Sequence, residues 1–398
     1  MKLTKQVCIM LASASLFACS KEDVAVENNG QVAIQGPAAL TLKINTGDLS
    51  RATGNFTDGQ KKATISNLTI KFIGAPSGSD ICTISNGNGT QTIYNVPEGT
   101  TGIIVVANNN DASDSNVWAS TAAVQTNKGI NVTCYGIDTE LTPNGTTTGS
   151  GSEDSNNSLT GNSNTTYSSY TADVTIKPVV ARMEIGGLKF EPTDGLQTGS
   201  KLFDQLTLTD VFLNGYYDKG SFDNNGTEEK VTPSDYKKAE NESEMSGFLG
   251  DASLNTVIYN ANESTDDTKA PTFPTTGQGY CYNFFTTAGT SDTTSDPDEG
   301  KSLPKFTLKI TADYNSTHES ESRPTTLYAV ITSYKTEEET PITNFLPGKI
   351  YQIKSLSLPE EVLTPDIDGN QEIAVTATIK VQDWTIQTMT GQWAGQSK

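Results

Sequence analysis

Side chains able to run chemistry are scarce in this chain. Its 398 residues include one histidine, His318, set in the polar run "STHESES". Nucleophilic triads, zinc sites and most general-base schemes lean on histidine, so neither an enzyme nor a cofactor is expected. The nearest approach to a metal loop is "DIDGNQE", where Asp366, Asp368 and Asn370 alternate like the opening ligands of a calcium loop. Its glycine comes too early, and Ala377 stands where a bidentate glutamate is needed, which favours a solvated connecting loop. The one reaction that the spacing does invite is performed on the chain: "NTGDLSRAT" presents Arg51 and Ala52 in a turn-rich stretch, open to a trypsin-like, arginine-specific protease.

Of the five cysteines, Cys8 and Cys19 belong to the N-terminal region and leave Cys82, Cys134 and Cys281. Three cannot all pair; a Cys82–Cys134 disulfide and buried free thiols both remain open, and no spacing suits a metal. Lys2 and Lys5 precede the apolar run "VCIMLASASLFA" and then Cys19, a targeting segment too short to span a bilayer as a helix. "LFAC" resembles the lipobox of bacterial lipoproteins, which implies a signal peptide at 1–18 and a lipid-modified Cys19; an ordinary secretory signal with a chance cysteine is the other reading. The acidic pair in "CSKED" resembles a tag for export to the outer face of the outer membrane. A net charge of -20 argues against nucleic acid or anionic membrane as a partner and for a self-repelling extracellular surface.

The elements that carry these residues read as strands. Leu40, Leu42 and Ile44 alternate with Thr41 and Lys43; "ISNLTIKFI" sets Leu68, Ile70 and Phe72 on one face; "GIIVVAN" is apolar throughout, as a covered central strand should be. A second series begins near 178 and ends in "EIAVTATIKVQDWTI". Short strands parted by Gly, Pro, Asn and Asp turns, with no long amphipathic helix, indicate an all-β protein of two tandem sandwiches. The expected layout is a propeptide at 19–51 whose first twenty or so residues form a tether, one sandwich at 52–177 and another at 178–398. Residues 143–171 read as a polar surface loop, as do inserts at 223–247 and 286–301.

The two ends match. Ile373, Val375, Ala377, Ile379 and Val381 form an apolar face opposite Thr376, Thr378 and Lys380, and the apolar character continues through Trp384 and Ile386. "LTLKI" and "VTATIKV" share one pattern, so either could offer a comparable face to the same sandwich groove. Cutting after Arg51 would discard the first strand and leave unpaired N–H and C=O groups beside exposed core. A tail from another molecule could fill that gap, and such a head-to-tail contact propagates into a filament. Each sign also has a plainer reading: a permanent first strand at the N-terminus, and an ordinary closing strand at the C-terminus.

Taken in order, "LFACS", "LSRAT", "ISNLTIKFI", "VVARMEI", "FLPGKIYQIKSLSL" and "IKVQDW" resemble the fimbrillin superfamily, the subunits of type V pili in Bacteroides-like and Porphyromonas-like bacteria. The resemblance spans essentially the whole chain. It implies two transthyretin-like β-sandwiches, export as an outer-membrane lipoprotein acylated at Cys19, cleavage between Arg51 and Ala52, loss of the strand holding Leu40, Leu42 and Ile44, and donation of the strand from 373 to 386 to another subunit in an extracellular fimbrium. The partners it implies are further copies of the chain, other fimbrial subunits and the protease. A tip or accessory subunit is the second reading. A monomeric glycan-binding surface lipoprotein, using Tyr216, Tyr217, Trp118 and Tyr167 as a platform, is the third.

Overall fold

The computed structural model describes residues 27–28, 31–45, 62–65, 67–78, 81–85, 90–108, 122–123, 132–153, 158–186, 188–191, 202–222, 231–262, 280–286, 303–318, 322–353, 356–367, 369, 375–383 and 385–387. Thr, Val, Ile and Tyr fill the extended segments, where branched and aromatic side chains pack well on a pleated surface. Among the described residues there is no α-helix, and the only helical turns are the 3₁₀ segments Glu242–Glu244, Ser316–His318 and Glu360–Val362. The chain is all-β.

Two large cores organise the strands. Around the first, a five-stranded sheet runs in the order Lys177–Pro178, Cys134–Asp138, Gly102–Ala107, Asn67–Ile73, Ile81–Ser85. A four-stranded sheet runs Thr142–Thr148, Thr166–Thr175, Ala38–Asn45, Thr90–Val96. Leu68, Ile70 and Val105 of one sheet share a core with Leu40, Leu42 and Ile93 of the other. Gly102–Ala107 is buried along its whole length, as its unbroken apolar run requires of a strand covered on both faces.

Around the second core, one sheet runs Gly250–Asp251, Phe203–Asn214, Lys305–Tyr314, Thr326–Thr336, Val375–Asp383, Lys349–Ile353, Ala181–Ile185, Tyr280–Phe284, with Thr256–Asn260 also on Phe203–Asn214. This sheet bends over the second core, so that strands near its two ends face each other across it. The Tyr282 hydroxyl, near one end, donates to the Val211 carbonyl near the other at 3.3 Å, and the Tyr282 and Phe306 rings lie 5.5 Å apart. On the strand Ala181–Ile185, Arg182 and Glu184 are both fully buried. Arg182 Nε donates to Glu184 Oε1 at 2.7 Å, and Gln352 Nε2 donates to Glu184 Oε2 at 2.6 Å.

Two segments expected to be loops contain strands. Within 143–171, Thr142–Thr148 pairs antiparallel with Thr166–Thr175, and Tyr167, Ser169, Tyr170, Ala172 and Val174 of the latter are buried. The segment is polar because the first of the two strands is an exposed sheet edge rich in threonine, and the second hides its apolar positions among Ser and Thr. Within 223–247, Val231–Lys237 forms a hairpin with Tyr216–Phe222, in which the Tyr217 and Tyr236 rings stand 5.1 Å apart. The insert at 286–301 lies almost wholly outside the described residues. The segment "TEEET", residues 336–340, forms an exposed reverse turn, closed by the Thr336 N–H on the Thr340 carbonyl at 2.8 Å.

Candidate functional site

The leader strand Ala38–Asn45 lies inside its sheet, with a neighbour on each edge. It pairs parallel with Thr166–Thr175 from Ala38↔Ser168 through Asn45↔Thr175, and antiparallel with Thr90–Val96 from Ala38↔Val96 through Lys43↔Thr90. The same residues, Ala38 to Lys43, are therefore bonded on both sides. Leu40 and Leu42 are fully buried and Ile44 nearly so, while Lys43 is exposed, so the alternation in the sequence is realised. Attachment begins earlier than the strand. The Ile34 N–H donates to the Thr100 carbonyl, the Ile34 carbonyl accepts from the Gly99 N–H, and the Pro37 carbonyl accepts from the Ser168 N–H, each at 2.9 Å. The expected tether of 20–39 thus ends near Ile34, whose side chain is buried in the first core.

Without this strand, Thr90–Val96 and Thr166–Thr175 would face each other across about 9.5 Å, twice the usual strand spacing, with the first core open between them. That slot keeps a brace of its own. Tyr94 on one wall and Tyr167 on the other meet edge to face at 5.1 Å. The Tyr167 hydroxyl donates to Asn95 Oδ1 at 3.2 Å and accepts from the Asn162 N–H at 2.9 Å. Residues 158–162 close over the pair: the Tyr94 N–H reaches the Ser158 carbonyl at 2.6 Å, and Gly161 lies so flat on the Tyr94 ring that a Cβ there would stand 2.6 Å away. The polar composition of 143–171 reads as loop and hides the pairing of Tyr167 with Tyr94. The available signal was the spacing of Tyr167, Ser169 and the apolar pair Ala172 and Val174 in "TYSSYTADV".

The tail strand Val375–Asp383 occupies the seam of the second sheet. Its first half pairs parallel with Thr326–Thr336, from Ile331↔Val375 through Thr336↔Ile379. Its second half pairs antiparallel with Lys349–Ile353, from Gln352↔Lys380 through Lys349↔Asp383. Among the described residues, each half is paired with one neighbour. Ala377 is buried in the second core and Thr378 is exposed. Ile386 follows on Thr385–Gln387, which pairs parallel with Lys62–Thr64. Ile373 and Trp384 lie outside the described residues, as do Cys19, Arg51 and Ala52.

Besides Arg51 the chain has two arginines. Arg182 is fully buried, and Arg323 precedes Pro324, whose imide nitrogen and fixed φ make a poor scissile position. Burial thus shields the bond after Arg182 and proline the bond after Arg323 from an arginine-specific protease.

The aromatic platform is corrected: Tyr216, Tyr217 and Tyr167 are all buried, and Trp118 lies outside the described residues. Tyr216 belongs to the second core and accepts the Leu249 N–H at 2.8 Å; Tyr217 belongs to the first. Cys82 and Cys134 are free thiols on strands separated by two others in one sheet, too far apart to bridge. Burial pushes both thiols above their ordinary pKa, Cys134 most strongly. Thr364–Ile367 and Gly369 turn through a Gly369 N–H bond to the Asp366 carbonyl at 3.1 Å.

No family model matches the chain, and no curated protein matches it. Among solved structures, a fimbrilin (FimA) of Porphyromonas gingivalis W83 has 11% identity, covering 88% of this chain and 98% of its own, with a TM-score of 0.49. A Bacteroides eggerthii protein with a cell-adhesion description has 16% identity, coverages of 88% and 97%, and a TM-score of 0.48. The tip fimbrial protein Mfa3 of Porphyromonas gingivalis, truncated at its C-terminus, has 11% identity, coverages of 88% and 100%, and a TM-score of 0.36.

Proposed function

We propose that the chain is the precursor of a structural pilus subunit, exported as a lipoprotein acylated at Cys19, cut between Arg51 and Ala52 at the cell surface, and polymerised head to tail by strand exchange. The leader strand is the removable plug. The strand around Val375, Ala377, Ile379 and Val381, with flanking Ile373, Trp384 and Ile386, is the donor. The subunit has no catalytic role, and its partners are copies of itself and other fimbrial subunits. Having both a plug and a donor, it suits a stalk better than a tip.

The contrast in how the two strands are held carries this reading. A strand bonded on both edges leaves two unsatisfied ladders when it goes, whereas one bonded on alternate edges gives up a single ladder along each half. The tail therefore gains backbone pairing when it moves from its own seam to a neighbour's empty slot. Apolar burial adds to the drive at about 1.5–3 kcal/mol for each large inward side chain, offset by ordering of the donor. Before cleavage the slot is full and nothing is gained. Loss of residues 1–51 removes five basic and four acidic residues, taking the net charge from -20 to -21, so subunits still repel one another and register must come from the slot.

The test is digestion of the full-length precursor with an arginine-specific protease. The expected products are a chain beginning at Ala52 and ladders that resist mild detergent, while Arg51→Ala stays uncut and monomeric. Quantitative cleavage without ladders would sink the reading.

A further inference from the structure

The Tyr94–Tyr167 brace does more than span the slot. On the leader strand the residue between these rings is Ala39, paired with Tyr94 on one side and Ser169 on the other. Ala39 points away from Leu40 and Leu42, toward the face that solvent would normally reach. It is nevertheless fully buried, because the rings and residues 158–162 close over it. Two positions further along the same face, Thr41 is only partly buried and Lys43 is exposed. On its outer face the slot is thus closed over Ala39 and open further along.

We propose that this clasp sets the register of the incoming tail, by admitting only a small outward residue where Ala39 now sits. The inference rests on the strand-exchange reading above. Alternation alone leaves the register open, because a slip of two residues keeps every side chain on its own face. Two alignments in the same chain direction compete. One lays Val375, Ala377 and Ile379 where Leu40, Leu42 and Ile44 lie; the other lays Ala377, Ile379 and Val381 there. Each puts one alanine in place of a leucine, so the inner face does not choose between them. The clasp does: the first alignment brings Ala374 between the tyrosines, and the second brings Thr376, with a branch and a hydroxyl to be enclosed. Packing extra atoms into a closed site is unfavourable, which selects Ala374.

Assembly of full-length precursor after arginine-specific cleavage, followed by light scattering and detergent-resistant ladders, tests the assignment. Ala374→Leu should slow assembly roughly tenfold or more, the scale of one overpacked site. Thr376→Leu should assemble near the wild-type rate, since it would occupy the partly open position of Thr41. Tyr94→Ala in the same chain as Ala374→Leu should restore much of the rate, an outcome that a general folding defect does not give. Slowing by Thr376→Leu but not Ala374→Leu would assign the other register, and equal effects of both would deny that the clasp reads the tail. A wild-type chain that is fully cut yet does not assemble would instead remove the strand-exchange reading and this inference with it.

Discussion

Leu42→Ala separates what the precursor needs from what the filament needs. Leu42 is fully buried between the two sheets of the first core, and truncating such a leucine costs about 2–5 kcal/mol in lost transfer and residual cavity. Denaturant unfolding of the uncut variant should therefore show the first sandwich destabilised by that amount, while Lys43→Ala, on the exposed face, should change little. After cleavage the sign of the effect on assembly reverses. A plug weakened by about 3 kcal/mol leaves its slot up to a hundredfold more readily, at a factor of ten per 1.4 kcal/mol, so filaments should form faster. Once formed, those filaments should resist heat and detergent as wild-type ones do, because the altered residue is no longer in them. Leu42→Ala filaments that come apart more easily than wild type would refute the reasoning, since Leu42 would then still be part of the assembled core.

Other outcomes follow from the rest of the fold. Arg182→Met leaves Glu184 buried with one donor fewer and should destabilise the chain by about 3–5 kcal/mol in denaturant titration, while Arg182→Met with Glu184→Met should recover most of that loss. Cys134 should resist alkylation in the folded chain and react only on unfolding, because burial raises its pKa, and reducing agent should not move the melting temperature. The Glu242 carboxylate, bonded to Lys309, is held below its ordinary value of 4.5. Its contribution to stability is full above that value and fades as pH falls through the lower folded value, so Glu242→Gln should make the acid limb of a stability profile shallower.

Much of this was legible in the sequence wherever apolar side chains alternate cleanly. Leu40, Leu42 and Ile44, the run from Gly102 to Ala107, and the paired exposure of Ala377 and Thr378 all sit as their spacing requires. What alternation could not reveal is pairing, which depends on residues far apart in the chain. Nothing local to Ala38–Asn45 says that both of its edges are occupied, and nothing local to Val375–Asp383 says that it changes partner midway. Polarity misled at 143–171, because Thr and Ser are as much strand formers at an exposed edge as loop residues. The three platform tyrosines misled in the opposite sense: loop-like surroundings hid the fact that all three are buried, Tyr216 and Tyr217 in the two cores and Tyr167 against Tyr94.

The most direct measurement is a reconstruction of assembled filaments at a resolution that identifies side chains, read at the slot between Thr90–Val96 and Thr166–Thr175. The expected occupant is the segment around Val375 to Val381 from a neighbouring subunit. Finding Ala38–Asn45 of the same chain still seated there would contradict the account.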